Sequence, residues 1–135
     1  MNKKGFTLIE LLAVITILVI LSLVIIPIVD SNIRRSKQDM YNIQIENIRM
    51  AAVNYFTNNM SMRPSRGNYC SISLDFLENE DYMSEDVINP KTGSRFENLF
   101  IQVQNNGTEK DKFVYLICPN ESDCKETTTI CSGAL

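Results

Sequence analysis

Leu11-Leu12-Ala13-Val14-Ile15-Thr16-Ile17-Leu18-Val19-Ile20-Leu21-Ser22-Leu23-Val24-Ile25-Ile26-Pro27-Ile28-Val29 runs without a single charged side chain. Adding Phe6-Thr7-Leu8-Ile9-Glu10 lengthens it, and across 6–29 only Thr7, Glu10, Thr16, Ser22 and Pro27 are not apolar, whereas the rest of the chain is far more polar. As a helix rising ~1.5 Å per residue the stretch spans roughly 36 Å, more than the ~30 Å hydrocarbon core of a bilayer. Its Leu, Ile, Val and Phe residues together favour insertion by at most about 5 to 11 kcal/mol, against a cost of ~3 kcal/mol or less for Glu10 near one end. Insertion wins. A core helix apolar on every side would need more chain around it than follows Val29.

The remaining composition narrows the function. The 135 residues carry 13 Lys+Arg, 16 Asp+Glu, four Cys and no His. Without His there is no imidazole base and no mixed Cys/His zinc site. A net charge of −3 argues against general nucleic-acid binding, which calls for a positive surplus. The basic Met1-Asn2-Lys3-Lys4 start suits a cleaved secretory signal, but the apolar run exceeds the ~7 to 15 residues of such a signal and Glu10 interrupts its beginning. Positive charges on the two flanks, Lys3 and Lys4 against Arg34, Arg35 and Lys37, leave the membrane orientation open.

Lys4-Gly5-Phe6-Thr7-Leu8-Ile9-Glu10 followed by the apolar run resembles the N-terminus of type IV prepilins and of the related pseudopilins of type II secretion and DNA-uptake systems. The likeness is close from Met1 to about Asp30. It implies cleavage between Gly5 and Phe6 by a membrane prepilin peptidase and N-methylation of Phe6. The mature chain would begin at Phe6, its side-chain charge more negative than −3 by the loss of Lys3 and Lys4. The resemblance also implies a single-pass protein of the cytoplasmic membrane, with the leader inside and the C-terminal domain outside, drawn from the membrane into a cell-surface filament. Partners would be other copies and other pilins, the peptidase, a polytopic platform protein, an assembly ATPase and membrane lipid. Nucleic acid enters only in a DNA-uptake role.

Within that resemblance Glu10 and Phe6 are the filament-assembly residues, the carboxylate pairing with the N-terminal ammonium of a neighbouring subunit. Pro27 lacks an amide hydrogen and clashes with the Leu23 carbonyl, so it signals a helix kink or local melting near residues 22–27, with Ser22 positioned to satisfy freed backbone, or else the end of the membrane span.

Beyond the membrane stretch, Ser31 to Met60 contains no Pro or Gly. Tyr41, Ile45, Ile48, Ala52 and Tyr55 recur at intervals of 4, 3, 4 and 3, with Phe56 alongside, which is a helical stripe suited to packing on the chain's own sheet. The break falls at Met62-Arg63-Pro64-Ser65-Arg66-Gly67. Ser73 can cap a short helix over Leu74, Phe76 and Leu77, and Asn89-Pro90-Lys91-Thr92-Gly93 is a turn signal. Leu99 to Gln104 alternates as a half-buried strand and Phe113 to Cys118 is a second, joined through Asn105-Asn106-Gly107-Thr108. Thr127 to Cys131 is a candidate third. The expected organisation is a leader at 1–5, a transmembrane and filament-core helix at 6–29, its amphipathic extension at 30–62 and a small β-rich head at 63–135. The fold class is α+β, a long N-terminal helix packed on a small antiparallel sheet.

An extracytoplasmic head makes disulfides the default for Cys70, Cys118, Cys124 and Cys131, with three pairings possible. Cys118 and Cys124 bracket a natural loop, Pro-Asn-Glu-Ser-Asp, which favours Cys118 with Cys124 and Cys70 with Cys131. None of the intervals between successive cysteines is as short as the close pair of a thiolate zinc site. Asp75, Glu78, Glu80, Asp81, Glu85 and Asp86 form an acidic stretch without EF-hand spacing, read as solvated surface rather than a calcium site. No metal, cofactor or catalytic constellation is expected, and the chain reads as a structural subunit rather than an enzyme. The alternative is a membrane-anchored extracytoplasmic binding module that does not polymerise. Surface pilus, secretion pseudopilus and competence filament share the same N-terminal physics and differ in the head.

Overall fold

The computed structural model describes residues 5–107, 112–126 and 129–132. The chain forms two compact units, Met1–Asp39 and Met40–Leu135. Helix α1 runs from Leu8 to Asn58, so its first part belongs to one unit and its last part to the other. In the first unit every described residue is exposed. Helical backbone continues through Pro27. The Ser22 hydroxyl donates to the Leu18 carbonyl at 2.7 Å, one turn back, and not to the Leu23 carbonyl that Pro27 leaves without an amide partner. The reason is local: a helical Ser reaches the carbonyl one turn before it, not the one after it.

In the second unit the periodic stripe becomes a core. Ile48, Ala51, Ala52, Tyr55 and Phe56 of α1 are buried, with Tyr41 and Ile45 packed at the margin. Beyond Asn58, a 3₁₀ turn at Met60–Met62 leads to the expected break. Three antiparallel strands follow in the order β1 (Tyr69–Ser73), β2 (Phe100–Asn105) and β3 (Phe113–Cys118), with a short helix α2 (Leu74–Asn79) after β1. The register sets Ile72 opposite Ile101 and Ile101 opposite Ile117, while Cys70 faces Val103 and Val103 faces Tyr115. These residues share one face by the two-residue period of a strand. Ile72, Ile101, Val103 and Ile117 lie in one cluster with the buried face of α1. Burial of that helix stripe is what allows so small a sheet to hold, because three short strands alone are marginal.

Tyr55 is the hub of an aromatic group. Its ring meets Phe56, Phe76 and Tyr82 edge-on, at centroid separations of 5.1, 5.2 and 5.3 Å. Ser73 caps α2, accepting from the Phe76 amide at 3.1 Å. The Asn89–Gly93 turn closes as expected, with the Gly93 amide donating to the Asn89 carbonyl at 2.8 Å and Gly93 at φ +74, a conformation open to glycine.

The sheet departs from expectation in two ways. Its third strand is Tyr69–Ser73 rather than the Thr127–Cys131 segment, of which Thr127 and Thr128 lie outside the described residues. Thr129–Cys131 instead runs parallel beside Ser71 as a single bridge, the Ser71 amide donating to Thr129 at 2.9 Å and the Cys131 amide to Ser71 at 3.1 Å. The second departure concerns β2, expected to be half-buried. Gln102, on the face away from the α1 stripe, is completely buried. Its side-chain amide donates to the Lys125 carbonyl at 3.0 Å and accepts from the Lys125 amide at 2.9 Å, so the chain after β3 folds back over that face. Backbone groups of that loop replace the water a polar strand face would otherwise meet.

Candidate processing and assembly segment

Gly5, Phe6 and Thr7 precede the helix in non-helical backbone, and all three are exposed. Around Gly5 a side chain would find open space: nothing lies within 4 Å of a Cβ placed there. Phe6 is 80% exposed. Thr7 is where the helix begins, since its carbonyl accepts the first turn's bond from the Leu11 amide at 3.2 Å.

Glu10 is one turn in. Its amide donates to the Thr7 hydroxyl oxygen at 3.3 Å, and its carboxylate accepts from the Thr7 amide at 3.2 Å and from the Thr7 hydroxyl at 3.1 Å. That reciprocal pattern is a capping box, in which two amides without helical partners are satisfied at once. In the prepilin motif Thr7 counts only as one letter, yet Thr7-x-x-Glu10 carries the capping signal in plain form. The expected assembly residue Glu10 is therefore engaged within its own chain.

From Leu8 to Val29 the helix presents apolar residues on all sides, all exposed, and is long and apolar enough to cross a membrane. The first charges after it, Asp30 and Arg34, pair at 2.9 Å one turn apart on exposed helix, a contact worth a few tenths of a kcal/mol.

In the head the four cysteines form two disulfides, Cys70–Cys131 and Cys118–Cys124. The first ties the segment beside Ser71 to edge strand β1, and the second closes the loop that leads from β3 to Lys125, whose backbone covers Gln102. The acidic stretch is not simply a solvated surface. Arg95, distant in sequence, lies among Asp75, Glu78 and Asp86, with a guanidinium nitrogen on Glu78 and another contact to Asp75 at 2.8 Å. Glu78 is buried and also accepts from the Val87 amide at 3.2 Å. Among the described residues no group of three or more His, Cys, Asp or Glu is arranged to hold a metal ion. A second buried-edge cation, Arg49, donates to the Tyr115 carbonyl of β3 and pairs with Glu121 at 2.6 Å.

Residues 1–26 match the family model described as the prokaryotic N-terminal methylation motif. The match falls on the segment containing Gly5, Phe6 and Glu10 and leaves the head outside it. No curated protein and no solved structure matches the chain. The N-terminus thus carries the type IV prepilin signature, followed by an apolar helix fit for membrane anchoring and by a disulfide-bonded α+β head.

Proposed function

We propose that the chain is a structural subunit of a type IV pilus or of a related pseudopilus, made as a precursor and polymerised through its N-terminal helix. The observation that carries this reading is the conjunction of the methylation motif with a helix apolar on every side directly behind it. Prepilin peptidase cleaves Gly5–Phe6 and the new Phe6 amine is methylated. The mature chain waits in the cytoplasmic membrane with its head outside.

On polymerisation, residues 6–29 leave lipid for a core built of the same segment from other copies, which keeps their apolar surface out of water throughout. Glu10 pairs there with the amine of a neighbouring Phe6, and that pairing sets the register between subunits. Pro27 is the point at which the packed helix bends, because the Leu23 carbonyl has no amide to receive. The leader 1–5, the core helix 6–29, its extension 30–62 and the head 63–135 are the working divisions. Platform protein and ATPase supply position and energy, since this chain has no phosphate-binding loop.

Mass spectrometry of the chain recovered from membranes tests the reading: an N-methylated Phe6 is expected, and an intact Met1 or a terminus near Ser31 overturns it. Replacing Glu10 by Ala then separates polymer from tether, because surface filaments disappear if Glu10 sets the register and persist if the helix is only an anchor.

A further inference from the structure

The capping box does more than begin a helix. A peptide bond inside a helix has its carbonyl and amide tied into the helical ladder, whereas a protease groove takes extended backbone whose polar groups are free to bond along it. Gly5–Phe6 lies ahead of Leu8, the first helical position, in exposed backbone, and Thr7 is the residue that stops the helix there. The Thr7 hydroxyl holds the Glu10 amide and the Glu10 carboxylate holds the Thr7 amide, so the Thr7 amide is not available to continue helical pairing toward the leader.

Resting on the prepilin reading, we propose that Thr7 is a positioning residue for precursor cleavage: its side-chain cap fixes the helix boundary and keeps Gly5–Phe6 presentable to the peptidase. In the cleavage itself the bond between the Gly5 carbonyl carbon and the Phe6 nitrogen breaks. Water supplies hydroxyl to the Gly5 carboxyl and a proton to the Phe6 amine. Thr7 touches neither reacting atom and acts only through the backbone conformation it sets. Without the hydroxyl the boundary shifts toward Gly5, since the strongly helical segment behind it has no stop. The open space around Gly5 fits the same role, because a groove must close around that backbone from several sides.

Three full-length precursors in vesicles containing prepilin peptidase test this: wild type, Thr7→Ser and Thr7→Val. Initial cleavage rates are read by mass spectrometry, and amide exchange at Ile9 is measured in the same preparations. Ser keeps the capping oxygen and should cleave within about twofold of wild type, while the near-isosteric Val should fall about fivefold, the population shift expected for loss of one cap. The Val variant should also show Ile9 amide exchange slowed, because a helix that starts earlier pairs the Ile9 amide with the Gly5 carbonyl, a change that general damage to the head would not produce. Equal rates for Val and wild type overturn the positioning role and leave the prepilin reading standing. Failure of the wild type to be cut at Gly5–Phe6 overturns both.

Discussion

Ile20 and Ile48 lie on the same helix and have opposite surroundings: the first is 62% exposed and the second has no exposed surface. Around Ile20 every helix face is apolar, so no rotation hides the side chains and only a solvent as apolar as they are can accommodate them. Around Ile48 the apolar residues keep to one face and the chain brings its own sheet to cover it. One unbroken secondary structure therefore carries two kinds of surface. What distinguishes the regions is the width of the apolar stripe, not the propensity to be helical.

Aspartate substitutions in the two places are the strongest way to break this contrast. Ile48→Asp buries an unpaired carboxylate and should cost more than about 4 kcal/mol, enough to unfold the head, as seen by loss of near-ultraviolet dichroism in detergent-solubilised full chain. Ile20→Asp should leave that signal and the denaturation midpoint unchanged while weakening membrane partition by roughly 3 kcal/mol. Equal effects of both variants on the head would show that the two regions are energetically one.

Next come the disulfides, which exist only in the head. By the entropy of loop closure, replacing Cys70 and Cys131 by Ala, separated by 61 residues, should cost about 4 kcal/mol. Replacing Cys118 and Cys124, separated by 6, should cost about 2 kcal/mol. Denaturant titration of the two double variants checks the order. Smaller still is Arg95→Met, which strands the buried Glu78 carboxylate with only the Val87 amide. Because Arg95 is itself 43% exposed, the loss should be smaller than that of either disulfide, and Glu78→Gln in the same chain should recover part of it.

The mildest test is alkaline. Burial pushes the Tyr41, Tyr55 and Tyr115 phenols above their ordinary 10.0, with Glu80 and Tyr82 adding to the rise at Tyr55 and Arg63 opposing it at Tyr115. The folded head thus favours the neutral phenols. Their contribution is complete below pH 10.0, where the unfolded chain is neutral too, and is lost above it as the unfolded chain ionises first. The denaturation midpoint should be level up to that pH and decline beyond it, while helicity of the apolar segment, which has no Tyr, stays constant.

These two regions are also unequally legible in the sequence. The N-terminal helix can be read because its signals are local: an uninterrupted apolar run, a compact motif and a stripe with helical intervals. Strands β2 and β3 show in contiguous apolar and β-branched residues, and the pairing of Cys118 with Cys124 in the loop between them. Strand β1 does not show, because Tyr69-Cys70-Ser71-Ile72-Ser73 is mostly serine and small thiol, and it becomes a strand only through pairing with β2. Arg95 is hidden for a similar reason, its acidic partners lying up to 20 residues away. The motif at residues 4–10 is plain, and the Thr7-x-x-Glu10 capping signal inside it is equally local but is masked because Thr7 also serves as one letter of that larger motif.

The tail beside Ser71 has a consequence for what the heads can do to one another. A stack of sheets grows without limit only if each unit offers two open edges, one to give and one to receive. Here Thr129 and Cys131 already occupy the backbone groups of Ser71 on β1, and the disulfide to Cys70 holds them there. On β3 the Tyr115 carbonyl is likewise taken by Arg49 and the Ile117 carbonyl by the Glu121 amide, so both outer strands carry backbone groups already in use, and a second sheet joining edge to edge would first have to displace them.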